Sequence, residues 1–298
     1  MENNMRKVIA LGFFDGVHLG HQALLRRTVE RASEKGMAPA VFTFDRSPRE
    51  FVTGVPVPLL TTPEERREAV CALFPIEEVI VAPFDQEMMT MPWVDFVVML
   101  AQRYQAGWVV AGHDFRFGHK NGGTPALLSQ KAAQLGMGCD IIPAVTLDGV
   151  TVSSTHIRAL LERGDTAEAG RFLGRPLSVS GEIRRGKGLG GRIGFPTLNV
   201  IPPAERLLPA YGVYVTRAVV DGVSYPAVTN VGLRPTVDTD GSVTVESHLL
   251  GQSLQLYGRR CRVEFLQMLR PERQFPTVDG LRSQIARDVE AAKAYFQM

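Results

Sequence analysis

The arrangement of apolar residues changes partway along the chain, and this change constrains the fold more than any other feature of the sequence. Up to about residue 173, short apolar runs alternate with segments whose apolar residues recur at helical spacing. Repeated β-α-β units of this kind predict a parallel sheet with helices on both faces. Beyond Gly174-Arg175-Pro176, strand-like runs follow one another without helices between them, which predicts an antiparallel barrel. The sequence therefore predicts two domains, residues 1–174 and 175–298.

The expected elements follow from periodicity, caps and breakers. For the first domain we predict strands over Val8–Leu11, Ala38–Phe44, Val79–Ala82, Trp108–Ala111 and Cys139–Ile142, and helices over Leu19–Lys35, Pro63–Leu73, Trp93–Tyr104, Pro125–Leu135, His156–Leu161 and Ala167–Leu173. For the second we predict strands over Ser178–Ile183, Gly212–Val220, Tyr225–Val231, Thr244–Leu249 and Cys261–Phe265, and a terminal helix over Val278–Phe296.

Charge and cysteine content narrow the function classes. Residues 1–170 carry 16 Lys and Arg against 20 Asp and Glu, whereas residues 171–298 carry 17 against 11. The basic second half predicts an anionic ligand, but its cations are scattered, which argues against nucleic acid. Three widely spaced cysteines without a CxxC pair predict neither a disulfide framework nor a zinc site. Without a signal-peptide pattern or a membrane-length apolar run, we expect a cytoplasmic protein with no membrane partner.

The segment from Gly12 to His21, GFFDGVHLGH, joins the first predicted strand to the first helix. Ligands of open α/β sheets bind beyond the carboxyl ends of the strands, and a helix start favours anions. His18 and His21 share one helix face, and Gly20 between them allows close approach to the backbone. The segment therefore predicts a cradle for a nucleotide polyphosphate. Zinc is a second reading of paired histidines, but no third ligand stands at a useful spacing.

A glycine-rich basic loop at 184–194 follows the first strand of the second domain. Glycines expose backbone N–H groups to a phosphate, although the loop could equally be a solvated turn, and it is not a Walker motif. The next residues, Gly194-Phe195-Pro196-Thr197-Leu198-Asn199, place Thr197 and Asn199 on one side of an extended segment. Their oxygens suit Mg²⁺, which takes few protein ligands together with phosphates and water.

The first domain resembles the HxGH nucleotidyltransferases, and more closely the FMN adenylyltransferase module of bacterial bifunctional riboflavin kinase/FAD synthetases. Three further segments carry this resemblance: TFDRSP at 43–48 where relatives commonly have TFDPHP, GHDFRFG at 112–118, and SSTHIR at 153–158. The resemblance implies a Rossmann-like domain in which Arg158, His18 and His21 are catalytic. It implies ATP contacts from Gly12, Phe13, Gly20, Ser153, Ser154 and Thr155, and flavin contacts from Asp45, Asp114 and Phe117.

The second domain resembles the riboflavin kinases. GFPTLN is similar to their PTAN motif, and NVGLRPT at 230–236, ESHLL at 246–250 and LRPE at 269–272 occur in the family's order. The resemblance implies Mg²⁺ ligation by Thr197 and Asn199, and Glu246 as the base that activates the ribityl hydroxyl. It implies ATP contacts from Gly186, Lys187, Gly188, Gly194 and Pro196, and flavin contacts from Arg234 and Arg287.

Together the motifs predict a bifunctional enzyme that makes FMN from riboflavin and ATP, and FAD from FMN and ATP. Two alternatives stay open: a riboflavin kinase whose FAD synthesis is weak because of TFDRSP, and a non-catalytic flavin-binding regulator. ATP, riboflavin and FMN are the expected partners, Mg²⁺ the expected metal, and a monomer or weak homo-oligomer the expected assembly.

Overall fold

The computed structural model describes residues 6–186, 189–233, 243–252, 254 and 256–298. It divides into two compact units, Met1–Ser154 and Thr155–Met298. The predicted lysine and glycine of the basic loop, Lys187 and Gly188, and the predicted flavin contact Arg234 lie outside the described residues.

Within the described residues, the first unit is built on a five-stranded parallel sheet, as predicted. Its strands are β1 (Lys7–Leu11), β2 (Ala38–Phe44), β3 (Glu78–Ala82), β4 (Ala106–Gly112) and β5 (Gly138–Ile142). Their order is β3-β2-β1-β4-β5, and every neighbouring pair is parallel. The carboxyl ends of β1, β2 and β4 therefore meet at one edge, which is where this class of sheet binds ligands. A two-stranded hairpin of β6 (Thr146–Leu147) and β7 (Val150–Thr151) follows the sheet.

Helices cover both faces of this sheet. They are α1 (Leu19–Lys35), α2 (Pro48–Thr53), α3 (Pro63–Leu73), α4 (Gln86–Thr90), α5 (Trp93–Gln102) and α6 (Pro125–Gln134). The alternating residues of β1 and β2 separate two cores. One contains Val8, Val41 and residues of α1, and the other contains Ile9, Phe42 and residues of α5 and α6. Loops at the strand ends can thus present groups from both sides of the sheet.

Within its described residues, the second unit is a closed antiparallel barrel, also as predicted. Its strands are β8 (Leu177–Arg184), β9 (Leu198–Ile201), β10 (Gly212–Val220), β11 (Val223–Leu233), β12 (Val243–Leu249) and β13 (Arg260–Pro271). They close in the order β10-β11-β12-β9-β8-β13. A one-turn helix α9 (Leu189–Arg192) precedes β9.

Three helices flank the barrel. The helix α7 (Ser154–Glu162) begins two residues before its predicted start, and α8 (Thr166–Leu173) packs against β8 and β13. The terminal helix α10 (Val278–Phe296) has its predicted bounds and places Val289 and Ala292 on a cluster with Val213 and Val215 of β10. The boundary between the two activities after residue 174 stays a prediction.

Candidate active sites

The two histidines of GFFDGVHLGH meet at the start of α1. His18 is the N-cap, and its Nδ1 accepts a hydrogen bond from the backbone N–H of His21 at 3.2 Å. Their rings stack with centroids 3.6 Å apart and planes 13° apart. Because Nδ1 of His18 accepts this hydrogen bond, the proton of the neutral ring is on Nε2.

Glycine is favoured at position 20 for a packing reason, in addition to the predicted close approach of a ligand to the backbone. A Cβ at this position would lie 3.1 Å from Cε1 of the His18 ring and 3.2 Å from its Nδ1. The absence of a side chain thus lets His18 fold back over the first turn of α1 and stack on His21. Gly20 therefore shapes the histidine pair itself.

The loop before His18 has an unusual backbone. Phe14 has a φ of 56°, Gly16 of 83° and Val17 of 43°. A left-handed conformation is costly for a β-branched residue and persists only where the surroundings fix it. The buried Asp15 carboxylate accepts the N–H of Thr61 at 2.9 Å, and the N–H of Gly16 donates to the Thr61 hydroxyl at 2.9 Å. These contacts hold the loop against the start of α3.

Of the other residues expected to contact ATP, Gly12 and Ser154 have contacts with this part of the first unit. Gly12 follows β1, and its N–H donates to the carbonyl of Phe42 at 3.2 Å. The Ser154 hydroxyl donates to the carbonyl of Asp15 at 3.0 Å, so Ser154 supports the loop directly. Ser153 and Thr155 flank it at the start of α7, and Arg158 lies one turn later on that helix.

An aromatic cavity of about 740 Å³ opens in the first unit. Its apolar wall includes Phe44 at the end of β2, Phe84 after β3, and Phe115 and Phe117 after β4. Its rim includes the cations Arg49, Arg116 and Lys120 together with the imidazole of His119. A largely apolar cavity of this size with a few charged groups at the mouth is typical of a site for a flat aromatic ligand that carries an anion. Phe44, Phe96 and Phe115 belong to the sheet face opposite α1.

The residues of the first domain that were predicted to contact flavin differ in whether they line this cavity. Of the described residues, Phe117 lines this cavity, whereas Asp45 and Asp114 do not. One oxygen of Asp45 accepts the backbone N–H of Phe84 at 2.9 Å, so Asp45 fixes a residue of the wall. The Asp114 side chain is 82% exposed, beside His113.

The TFDRSP segment also shapes this cavity. Ser47 is buried and is the N-cap of α2, where its hydroxyl accepts the N–H of Glu50 at 3.3 Å. Arg46 is largely exposed, with its Nε 3.6 Å from a carboxylate oxygen of Asp45. The helix that Ser47 caps supplies Arg49 and Val52 to the cavity. Serine in place of the common histidine therefore gives α2 a cap.

The barrel brings the predicted metal ligand and the predicted base together. Asn199 of β9 is opposite Glu246 of β12 in the antiparallel register. Opposite residues of neighbouring strands project to the same face with Cβ atoms about 4.5–5.5 Å apart. The same register continues to Arg184 of β8 on one side and to Asn230 of β11 on the other. Four polar residues thus form a row across the outer face of the barrel.

The glycine-rich loop lies against this row. A Cβ on Gly186 would overlap Nδ2 of Asn199, so the close approach requires glycine. Asn199 is 6% exposed although it is on the outer face, because this loop covers it. Gly194 and Pro196 precede Thr197, and the carbonyl of Pro196 accepts a hydrogen bond from Nδ1 of His248 at 2.8 Å. His248, two residues after Glu246, therefore holds the segment that carries Thr197.

The predicted flavin residue Arg287 lies on α10. It donates to Gln284 at 2.8 Å, and Gln284 donates to Asp288 at 2.8 Å. Asp288 is buried and accepts hydrogen bonds from Arg270 of β13 at 2.8 Å to 3.2 Å. This network fixes the rotation of α10 on the barrel and so sets where Arg287 stands.

Several residues of these sites were not found from the sequence. In the aromatic wall Phe117 was a predicted flavin contact, whereas Phe44 at the end of β2 and Phe84 after β3 were not predicted. Thr61, Thr43 and Arg66 support the HxGH loop, and Arg66 is a buried arginine on α3 that resembles a surface residue in the sequence.

The fold and the two sites define a two-domain enzyme that transfers nucleotide and phosphoryl groups. A family model described as FAD synthetase matches residues 1–156, and one described as riboflavin kinase matches residues 173–296. The chain belongs to the family of bifunctional riboflavin kinase/FMN adenylyltransferases.

Relatives over nearly the whole chain agree. The bifunctional riboflavin kinase/FMN adenylyltransferase of Pseudomonas fluorescens is 37% identical, covering 96% of this chain and 92% of the relative. That of Listeria monocytogenes is 32% identical, covering 98% and 93%. A crystal structure from Streptococcus pneumoniae, described as a macrolide-efflux protein, has a TM-score of 0.87 and 29% identity, covering 97% of this chain and 94% of that one. Among the described residues of our chain, no helix has both the length and the apolar character needed to span a bilayer.

Proposed function

We propose that the chain carries out both activities of its family, with the described residues in the roles below. Riboflavin and ATP give FMN and ADP at the barrel, and FMN and ATP give FAD and pyrophosphate in the first domain. The observation that carries this proposal is that each unit has a built site of its own. The histidine pair and the aromatic cavity lie in the first, and the Asn199–Glu246 row lies in the second.

In the first domain, we assign the polyphosphate of ATP to the start of α1. The helix terminus supplies N–H donors, and His18 and His21 stabilise negative charge on the phosphates. An oxygen of the FMN phosphate attacks the α-phosphorus, and the bond to the bridging oxygen of pyrophosphate breaks. We assign a similar charge-neutralising role to Arg158. No covalent enzyme intermediate is required, because positioning and charge stabilisation supply the rate.

We assign the flavin ring of FMN to the aromatic cavity. Phe44, Phe84 and Phe117 would contact the ring, since aromatic side chains favour stacked or edge contacts with a flat conjugated system. The exposed cations Arg116 and Lys120 at the rim give the mouth a positive charge that attracts an anionic flavin. Asp45 acts through Phe84, whose backbone it holds.

In the second domain, Glu246 accepts the proton of the ribityl 5′-hydroxyl as its oxygen attacks the γ-phosphorus of ATP, and ADP leaves. The backbone of the loop at Gly186 approaches the phosphates, and Arg287 is assigned to the flavin. Positioning supplies most of the acceleration in phosphoryl transfer, and the base adds to it.

Thr197 and Asn199, the second of which lies opposite Glu246 in the barrel, fit Mg²⁺ bound with the nucleotide. The described residues contain no cluster of three or more His, Cys, Asp or Glu that could hold a metal alone. The Thr197 hydroxyl and the Asn199 amide oxygen beside Glu246 are the small set of hard oxygens that Mg²⁺ accepts when phosphates and water complete its shell. The ion would neutralise phosphate charge, and Thr197 and Asn199 would hold it.

Mass spectrometry of the products from riboflavin, ATP and magnesium tests the proposal. We expect FMN to appear first and FAD to follow. Accumulation of FMN without FAD would instead support the alternative of a kinase with a weak first domain. Tight flavin binding without ATP consumption would support a non-catalytic regulator.

The state of the cysteines bears on the cellular compartment of the protein. All three cysteines are free thiols, which fits a reducing compartment, and we propose that the enzyme is cytoplasmic. A monomer or weak homo-oligomer stays a prediction, as does the absence of nucleic-acid partners.

A further inference from the structure

Arg66 is the most deeply buried charged side chain in the described part of the chain, with 1% exposure. It projects from α3 into the space between the end of β2 and the loop after β1. Burial lowers the pKa of Arg66 to about 10, with the charge of Asp15 acting in the opposite direction, so the guanidinium is charged at neutral pH. A buried charge is costly, and its retention calls for a reason beyond helix propensity.

The contacts of Arg66 converge on Phe13. Its Nη1 donates to the Thr43 hydroxyl at 2.8 Å and to the carbonyl of Phe44 at 2.9 Å. The Thr43 hydroxyl in turn donates to the carbonyl of Phe13 at 3.0 Å. The guanidinium also lies 4.1 Å from the centre of the Phe13 ring, a cation–π contact. Arg66 therefore holds both the backbone and the side chain of Phe13, whose predicted role was an ATP contact.

Phe13 is the residue that leads into the strained loop. The three positive φ angles between Phe14 and Val17 follow it directly, and His18 comes next. A strained conformation persists only where its surroundings restrain it. Asp15 and Thr61 provide this restraint in the middle, and the link from Arg66 through Thr43 provides it at the start. Nε and Nη2 of Arg66 have no hydrogen-bond partner among the described residues. Arg66 therefore occupies a position that supports the loop although two of its nitrogen donors are left without hydrogen bonds in the described part of the chain.

We propose that Arg66 is a positioning residue for adenylyl transfer, which fixes the loop Phe13–Val17 and thereby the placement of His18 and His21. This inference rests on the proposed FMN adenylyltransferase activity of the first domain. It assigns Arg66 no contact with substrate. Displacement of a charge-stabilising group by about 1 Å can cost roughly a hundredfold in rate.

The test compares Arg66→Met with Arg66→Lys. Methionine keeps much of the aliphatic volume but removes the charge and the donors, whereas lysine keeps the charge and one donor group. We expect Arg66→Met to lower kcat for FAD synthesis from FMN by roughly tenfold or more, with KM for ATP changed by less than about threefold. Lysine should restore part of the lost kcat. A residue that only stabilises the fold would lower the melting temperature and leave the kcat of the folded enzyme unchanged.

Arg67 supplies the matched control, because it is the next residue of the same helix and is exposed. Arg67→Met should leave both activities at the wild-type level. Both tryptophans, Trp93 and Trp108, lie in the first unit, so their fluorescence reports whether that unit is folded in each variant. Riboflavin kinase activity of the same preparation measures the amount of intact enzyme.

A second variant covers the case in which Arg66→Met does not fold. Thr43→Val is nearly isosteric and removes only the hydroxyl between Arg66 and Phe13. It should lower kcat in the same direction, and the double variant Arg66→Met/Thr43→Val should lose less than the product of the single losses, since both break one link. A folded Arg66→Met enzyme with kcat within twofold of wild type, or an unaffected Thr43→Val enzyme, overturns the inference. If wild type itself forms no FAD from FMN, the proposed function fails instead.

Discussion

Glu246 of β12 and Asn199 of β9 lie directly opposite each other on the outer face of the barrel, in an antiparallel register that also brings Ser247 opposite Leu198. Ser247 and Leu198 are buried, while Glu246 is partly accessible. Because side chains alternate along a strand, neighbouring residues here face either the barrel interior or the outer face that carries the proposed site. The proposed proton acceptor and the proposed Mg²⁺ ligand are thereby held side by side on neighbouring strands.

We expect Glu246→Gln to lower kcat for riboflavin phosphorylation by roughly 10²- to 10⁴-fold, because the amide cannot accept the proton of the attacking hydroxyl. The size of glutamine is nearly unchanged, so the strand register should persist. FAD synthesis from added FMN should continue at the wild-type rate. Steady-state assays of both reactions on one preparation give the comparison.

Glu264 of β13 is the control for that variant. It lies in the same barrel and pairs with Arg262, at 3.1 Å. Glu264→Gln should leave the kinase rate intact. Full kinase activity in the Glu246→Gln enzyme would remove Glu246 from the role of base.

Substitution of His21 in the first unit and of His248 in the second should each impair a different one of the two reactions. His21→Ala removes the ring that we propose stabilises charge beside His18, and we expect kcat for FAD synthesis to fall by roughly 10²- to 10³-fold while kinase activity is kept. His248→Ala removes the hydrogen bond to Pro196 and with it the support of the segment before Thr197. It should therefore weaken the kinase and spare FAD synthesis. Equal effects of both variants on both reactions would contradict the assignment of one site to each unit.

Strong local signals gave elements whose positions could be predicted. The capping box of Thr62 and Glu65 with Pro63 at the first position marked the start of α3, and the structure has that box. Short apolar runs marked the strands of the parallel sheet to within two residues. The strand β9 (Leu198–Ile201) was missed because its four residues follow a run of Gly and Pro, and pairing on both sides stabilises it.

Features that depend on distant segments could not be read from the sequence. Arg66 looks like one more polar residue of an amphipathic helix, and only the meeting of α3 with β2 and the β1 loop reveals that it is buried. The helix α2 was overlooked because TFDRSP was interpreted through its resemblance to a motif, although Ser47 and Gly54 are ordinary cap residues. Gly186 needs its lack of a side chain because of Asn199, a neighbour that the barrel supplies.

Ser47 gives a direct test of the TFDRSP segment. Loss of an N-cap costs about 0.5–2 kcal/mol of local stability, and α2 carries part of the cavity rim. We expect Ser47→Ala to raise KM for FMN in FAD synthesis several-fold, with little change in KM for ATP. Ser47→Asp, which retains a capping oxygen, should behave like wild type. If the KM for FMN is the same in all three proteins, α2 does not contribute to the flavin site.

The last prediction concerns stability of the first unit and its dependence on pH. Asp140 of β5 accepts hydrogen bonds from Arg27 at 2.9 Å and from Arg31 at 2.9 Å and 3.0 Å, both on α1. Burial alone would raise the pKa of Asp140, but the hydrogen bonds and charges of the two arginines outweigh it and lower that pKa below its ordinary value. The folded state therefore binds this proton less readily than the unfolded state. The resulting stabilisation is complete above the ordinary carboxyl pKa and is lost as pH falls through the lower folded value.

Asp140→Asn should accordingly reduce the free energy of unfolding of the first unit by about 1–2 kcal/mol at pH 7, since it leaves two partly buried arginines without their carboxylate. The difference from wild type should shrink as pH is lowered from about 5 towards 3, because the unfolded wild-type chain then binds a proton that folded Asp140 still excludes. Urea unfolding followed by tryptophan fluorescence measures it, since both tryptophans lie in this unit. Glu34→Gln is the control: Glu34 also pairs with Arg31, but its side chain is 48% exposed, so its loss should cost little at any pH. A difference for Asp140→Asn that stays constant from pH 7 to pH 3 would show that the carboxylate charge is not what stabilises the contact between α1 and β5.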